Sequence, residues 1–162
     1  MRTWGEFAQE APELAAKGQR LLNQCGIGLG FLGTVRKDGG PRVHPACTIT
    51  TANSLFVFVV AQSPKYRDLR RDPRFALHSF PPEPPPEGVT DGDEEFYITG
   101  EAIYRNDDQE LRRMAVAASG GRLGTHDFEE LFELRLSNAL HTVWHKWGQP
   151  DTWPEYTKWR AA

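Results

Sequence analysis

Ser63 and Lys65 are the residues best suited to chemistry in this chain. They flank Pro64 in the run LFVFVVAQSPKYRDLRRDPR, from Leu55 to Arg74. Pro64 suits the first turn of a helix, where its missing N–H costs nothing, and Pro73 forces the helix to stop. Ser63 is then the N-cap, and its hydroxyl lies beside the free N–H groups of the first turn. With Lys65 next to it, this is an anion site best matched to a phosphate. The same basic residues could equally form a solvated helix face. Arg67, Arg70, Arg71 and Arg74 cannot all point at one ligand, because helical spacing spreads them around the axis.

The five histidines are His44, His78, His126, His141 and His145. His141 and His145 share one face of a strand, but a pair with no third ligand predicts no metal site. His44 and His78 read as ordinary strand residues. Cys25 and Cys47 form no CxxC pair and read as reduced thiols.

The elements that must carry these groups can be read in order. Thr3-Trp4-Gly5-Glu6 has the form of a capping box opening a helix through Glu10. Pro12 opens a second helix, with Leu14, Ala15, Gly18, Leu21 and Leu22 on one face and Gly26 at its end. Strands are predicted over Ile27–Val35, Pro41–Thr50 and Leu55–Ala61, the first two joined by the hairpin signal RKDGG. They form an antiparallel meander, the usual start of a small barrel.

Phe75–Phe80 is the next strand, followed by the proline-rich run PPEPPPEG, read as an exposed surface loop. Glu95–Tyr104 is extended, with Gly100 marking a bulge or bend. Asn106-Asp107-Asp108 caps a helix that stops at Gly120-Gly121. Strands follow at Leu131–Leu136 and His141–His145, then an aromatic tail with Trp147, Trp153, Tyr156 and Trp159. The tail is expected to pack across the barrel or an interface between copies.

The fold class is therefore mainly β with peripheral helices: six to seven antiparallel strands in a closed or split barrel. The 162 residues read as a single domain, with N-terminal helices over 1–25, barrel core over 26–105 and a helix, two strands and tail over 106–162. A net charge of −3 gives no general attraction to nucleic acid or anionic membrane. No apolar stretch approaches the ~20 residues of a membrane span, and the N-terminus has no export signal. The expected compartment is the cytoplasm.

The runs DGGPRVHPACTI, LFVFVV and SPKYRDLRRDPRFAL resemble the flavin-binding split barrels related to pyridoxamine 5′-phosphate oxidase, over roughly Leu21 to Tyr104. The resemblance implies a homodimer with FMN in clefts at the subunit interface. It implies that Ser63 and Lys65 hold the phosphate, with Arg42 as a bidentate clamp. The strand Arg42, Val43, His44, Pro45, Ala46, Cys47 would line the flavin's phosphate and ring, and Phe58, Val59 and Val60 would pass alongside the ring. Deazaflavin, FAD and haem are the alternative cofactors.

The chain departs from the oxidase proper at Cys47, where a lysine is expected, and at Val59, where a hydroxyl residue is expected. Its end, QPDTWPEYTKWRAA, does not match the segment that holds pyridoxal phosphate. Genuine pyridoxamine phosphate oxidase activity is not expected. Two functions follow: a flavin oxidoreductase acting on a small molecule, or a cofactor carrier or sensor without turnover.

Overall fold

The computed structural model describes residues 1–81 and 92–162. The proline-rich run lies almost wholly at 82–91, outside the described residues. The elements in chain order are α1 (Trp4–Glu10), α2 (Pro12–Leu22), β1 (Gly28–Val35), β2 (Pro41–Thr50), β3 (Leu55–Val60), α3 (Pro64–Arg71), β4 (Arg74–Ser79), β5 (Asp93–Tyr104), α4 (Gln109–Ala118), β6 (Glu129–His145) and β7 (Trp153–Arg160).

All strand pairings are antiparallel. The order is β3-β2-β1-β4-β5-β6-β7, and β6 returns to pair with β3, so six strands close into a ring and β7 extends it. Alternation builds the interior. On β1, Leu32 and Thr34 are buried while Phe31 faces out, as the two-residue period of a half-buried strand requires. The ring is filled by Leu32, Leu55, Leu77, Phe96, Ile98 and Phe132, all fully buried.

The two N-terminal helices close one side of this core. The capping box is present: the Glu6 N–H donates to Thr3 Oγ1 at 3.1 Å, and the Thr3 N–H donates to Glu6 Oε2 at 2.6 Å. Gly18 lets α2 lie directly on the sheet, since a Cβ there would come within 2.4 Å of the Phe96 ring. α4 covers the opposite outer face, where Ala115 packs with Ile49, Phe56 and Leu131. No helix among the described residues is long and apolar enough to cross a membrane.

Three sequence-based expectations are corrected. α2 ends at Leu22 with Asn23 as its cap; Gly26, at φ +72°, instead turns the chain into β1. The strands expected at Leu131–Leu136 and His141–His145 are one strand of 17 residues. The aromatic tail is itself a strand, Trp153–Arg160, paired with His145–Asn138.

These last two corrections share a cause. Between Leu136 and His141 the sequence loses its clean alternation, but β6 stays extended because partners line both its edges. One edge takes β3, then the isolated bridge to Arg2, then β7. The other takes β5 along its whole length. Thr99 opposes Asn138 and Gly100 opposes Leu136, leaving Ser137 as the extra residue of a bulge. The bulge expected at Gly100 is present, with its extra residue on the facing strand. The tail's Trp, Tyr and Thr residues suit a pleated edge, and Pro154 lies near the strand's start, where a missing N–H is tolerated.

Candidate functional site

The barrel is split where β2 and β3 meet. Their described pairing covers Thr48↔Val57, Ile49↔Phe56 and Thr50↔Leu55. Before Thr48, β2 stays with β1; beyond Val57, β3 runs with β6 from Phe58↔Leu131 to Val60↔Glu129. The two segments singled out in the sequence, Arg42–Cys47 and Phe58–Val60, therefore flank a fork. Pro45 marks the open edge, because a residue without an N–H must face away from the ladder. By the alternation of antiparallel hydrogen bonds, Val43 and Cys47 present their backbone groups on that same edge.

α3 sits at the fork. Ser63 caps it, accepting the Tyr66 N–H at 3.2 Å, and Pro64 occupies the first turn. Lys65 Nζ donates to the open-edge carbonyl of Pro45 at 3.3 Å. Burial lowers the Lys65 pKa, with nearby Cys47 pulling the other way. Arg42 Nε donates to Asp68 Oδ2 at 2.8 Å. Thr34 Oγ1 donates to the same oxygen at 3.0 Å. Burial pushes the Asp68 carboxyl up, but hydrogen bonds from Arg42, Arg71 and Thr34 outweigh it and hold the pKa below the usual aspartate value.

His44 lies between these cations. Its Nε2 is buried and has no hydrogen-bond partner among the described residues. Burial lowers its pKa, and the charges of Lys65 and Arg42 lower it further, against a smaller opposing effect of Asp68. An anion at this point would accept from Nε2 and offset the two positive charges. In the free protein the His44 ring is expected to titrate below the ordinary histidine value of about 6.5. Added inorganic phosphate is expected to move it up, as followed by NMR of the imidazole. Its depressed pKa also means that stability is lost as pH falls from about 6.5 through the folded-state value, since the unfolded chain binds the proton first. Titration at or above the ordinary value without phosphate would contradict this arrangement.

The site residues divide by strand face. Ala46 and Val59 are buried in the barrel core, and Phe58 packs against the α4 layer beneath the Arg112 guanidinium, so their side chains serve the wall. Val43 and Val60 face outward, 64% and 48% exposed, and Phe31 lies on the same outer surface as Val43. Cys47 lines a cavity of about 330 Å³ between β2 and the turn after α4, together with Ile49, Ser119, Arg122 and Leu123. Thr48 and Thr50 line it too, and their hydroxyls are buried without partners among the described residues.

The arginines sort as helical spacing requires. Arg70 lies 4.0 Å over the Tyr104 ring, Arg74 pairs with Asp72 at 2.6 Å, and Arg71 bonds Asp68 at 3.1 Å and the Val35 carbonyl. The histidines beyond the fork have local partners. His141 meets Glu94 at 2.7 Å, His145 meets Glu155 at 3.1 Å and stacks on Trp153, and His78 meets the Ser79 carbonyl at 2.7 Å. In the tail, Trp159 packs on Phe7 and donates to Glu10, while Trp147, Trp153 and Tyr156 are about half exposed. Sequence reasoning missed Thr34, Asp68 and Arg122. Asp68 left a signal: an acid inside a basic helix, one turn after the cap.

Over residues 16–142 the sequence matches the family model of pyridoxamine 5′-phosphate oxidase. No curated protein sequence matches it significantly. Among solved structures, a haem-binding protein from Mycobacterium smegmatis is 17% identical, with a TM-score of 0.62, over 88% of this chain and 57% of that one. HutZ, the haem storage protein of Vibrio cholerae, is 20% identical over 78% of this chain and 89% of its own, with a TM-score of 0.60. A NimC/NimA family protein from Clostridium acetobutylicum is 14% identical over 88% and 91%, with a TM-score of 0.57. At these identities the likeness is one of fold.

Proposed function

Because this chain belongs to the pyridoxamine 5′-phosphate oxidase family, we propose that it holds FMN in the fork between β2 and β3 and acts as a flavin-dependent oxidoreductase on a small organic molecule. The observation that carries this reading is the buried, unpartnered Nε2 of His44 among Arg42, Lys65 and the capped start of α3. These groups fit a phosphate. Two cations, a neutral imidazole and the Lys65 N–H, the one first-turn N–H left free by Pro64 and the Ser63 cap, can all donate, and charge-assisted bonds of this kind contribute on the order of 1.5–3 kcal/mol each.

The rest of the fork fits the remainder of the cofactor. The open edge of β2 at Val43, Pro45 and Cys47 supplies backbone donors and acceptors for a polar ring edge, with Pro45 offering its carbonyl alone. Outward Val43 and Val60 supply apolar surface. When bound, the flavin supplies the hydride or electron transfer. The protein positions it and offers the Cys47–Arg122 cavity to a substrate. Exposed Val43, Val60 and Phe31 make an apolar face that a second copy of the chain would cover, in keeping with a homodimer holding the cofactor at its interface. Cys47 and Val59 remove two polar contacts of the oxidase proper, so pyridoxamine phosphate is not the substrate we propose.

The rival is a cofactor carrier, with haem in place of flavin. It has less support here, because the positive charges of Lys65 and Arg42 beside His44 suit a phosphate better than an iron ion. The test is an absorption spectrum of the purified protein, repeated after adding FMN and desalting, then anaerobic addition of NADH or NADPH. Bands near ~450 and ~375 nm that bleach with the reductant and return with an acceptor are expected. A Soret band near ~400 nm would favour haem. A retained flavin that is never reduced would favour the carrier, and a protein that holds neither would end the flavin reading.

A further inference from the structure

We infer that Asp68 is the positioning residue of the anion site, fixing the Arg42 guanidinium so that its two terminal amino groups face the ligand. The inference rests on the flavin reading only in naming FMN as the ligand.

Asp68 lies on the second turn of α3 with its side chain 5% exposed. A carboxylate so buried is costly unless it is paired and hydrogen-bonded. It is fully engaged: Oδ2 accepts from Thr34 Oγ1 at 3.0 Å and from Arg42 Nε at 2.8 Å, and Oδ1 accepts from Arg71 at 3.1 Å. One acid thus ties α3 to β1 and β2 at the mouth of the fork.

The contact to Arg42 is made through Nε. Because the guanidinium is planar, fixing that N–H fixes the plane of the whole group. The terminal nitrogens have no hydrogen-bond partner among the described residues, and Arg42 lines a groove beside Pro64 with Arg36, Asp38 and Arg67. Without Asp68, an arginine on the open edge of β2 would spread over its rotamers and lose that freedom on binding.

Charge alone predicts the opposite of positioning. A carboxylate beside an anion site repels the anion and neutralises part of Arg42 and Arg71, so removing it should tighten phosphate binding. If Asp68 instead orients the fork, removing its charge should weaken binding. The sign of the effect therefore separates the two.

The experiment titrates inorganic phosphate, FMN and riboflavin into the full chain and its Asp68→Asn variant, with phosphate followed by NMR shifts of the Ser63, Lys65 and Tyr66 amides. Phosphate and FMN binding are expected to weaken about tenfold in the variant, with riboflavin, which lacks the phosphate, unchanged. In the Arg42→Ala background, Asp68→Asn should add no further loss. Equal or tighter phosphate binding overturns the inference, as does a parallel loss of riboflavin, which would mark a merely structural role.

Should Asp68→Asn fail to fold, Arg42→Lys decides. It keeps the charge but not the fork, and about tenfold weaker phosphate binding is expected, whereas full retention overturns the inference. Absence of phosphate binding in the unaltered chain also overturns it. Asp68-dependent phosphate binding in a chain that rejects FMN would support the inference and remove the flavin reading.

Discussion

Lys65→Ala is expected to weaken FMN binding by about tenfold to a hundredfold while leaving riboflavin binding unchanged. Lys65 reaches the open edge of β2 from the first turn of α3 and touches the Pro45 carbonyl at 3.3 Å. That neutral acceptor is a modest partner for an ammonium. A phosphate at the cap would be a stronger one, and a charge-assisted bond of about 1.5–3 kcal/mol corresponds to that range of affinity. The apo protein should be little affected, because burial already lowers the pKa of this group and disfavours its charged form.

Arg71→Ala provides the contrast. Its guanidinium serves the Val35 carbonyl and Asp68, so its loss is expected to lower stability, with a smaller effect on FMN than Lys65→Ala. Titration by quenching of flavin fluorescence measures all of these. Equal, negligible effects of both substitutions on FMN would place the phosphate elsewhere.

Gly100→Ala is expected to destabilise the fold by about 3 kcal/mol or more, lowering Tm by roughly 6–12 °C for a chain of this size. A Cβ at Gly100 would lie 1.8 Å from the Arg135 carbonyl oxygen, with the Leu136 Cα at 3.1 Å. Both obstacles are backbone of β6, so no rotamer change relieves the clash. It falls at the bulge, where Ser137 Oγ donates to the Thr99 carbonyl at 3.1 Å and Asn138 Nδ2 donates to Thr99 Oγ1 at 3.0 Å. Separating the strands there would weaken the longest pairing of the barrel. Thermal unfolding followed by circular dichroism checks it; an unchanged Tm would mean that β5 and β6 adjust without cost.

The sequence by itself determined whatever depends on neighbours along the chain. Thr3 and Glu6 made the capping box, Ser63 and Pro64 the start of α3, and the RKDGG run the β1–β2 hairpin. Each is decided within a few residues by φ preference or hydrogen-bonding capacity. Pro45 carried the sign of the split, as a strand residue unable to donate, but did not say which partner strand would be missing.

Only the tertiary structure decided what depends on partners distant in sequence. β6 runs unbroken through Ser137–Leu140 because β5, Arg2 and β7 satisfy its backbone from both sides. Asp68 is a buried anchor because Thr34 and Arg42, 34 and 26 residues away, point their donors at it. Ala46 and Val59 became wall because the ring closed around them, while His44 was left with a bare nitrogen between two cations. Burial and long-range pairing set the value of a polar group, and neither is written in its immediate neighbours.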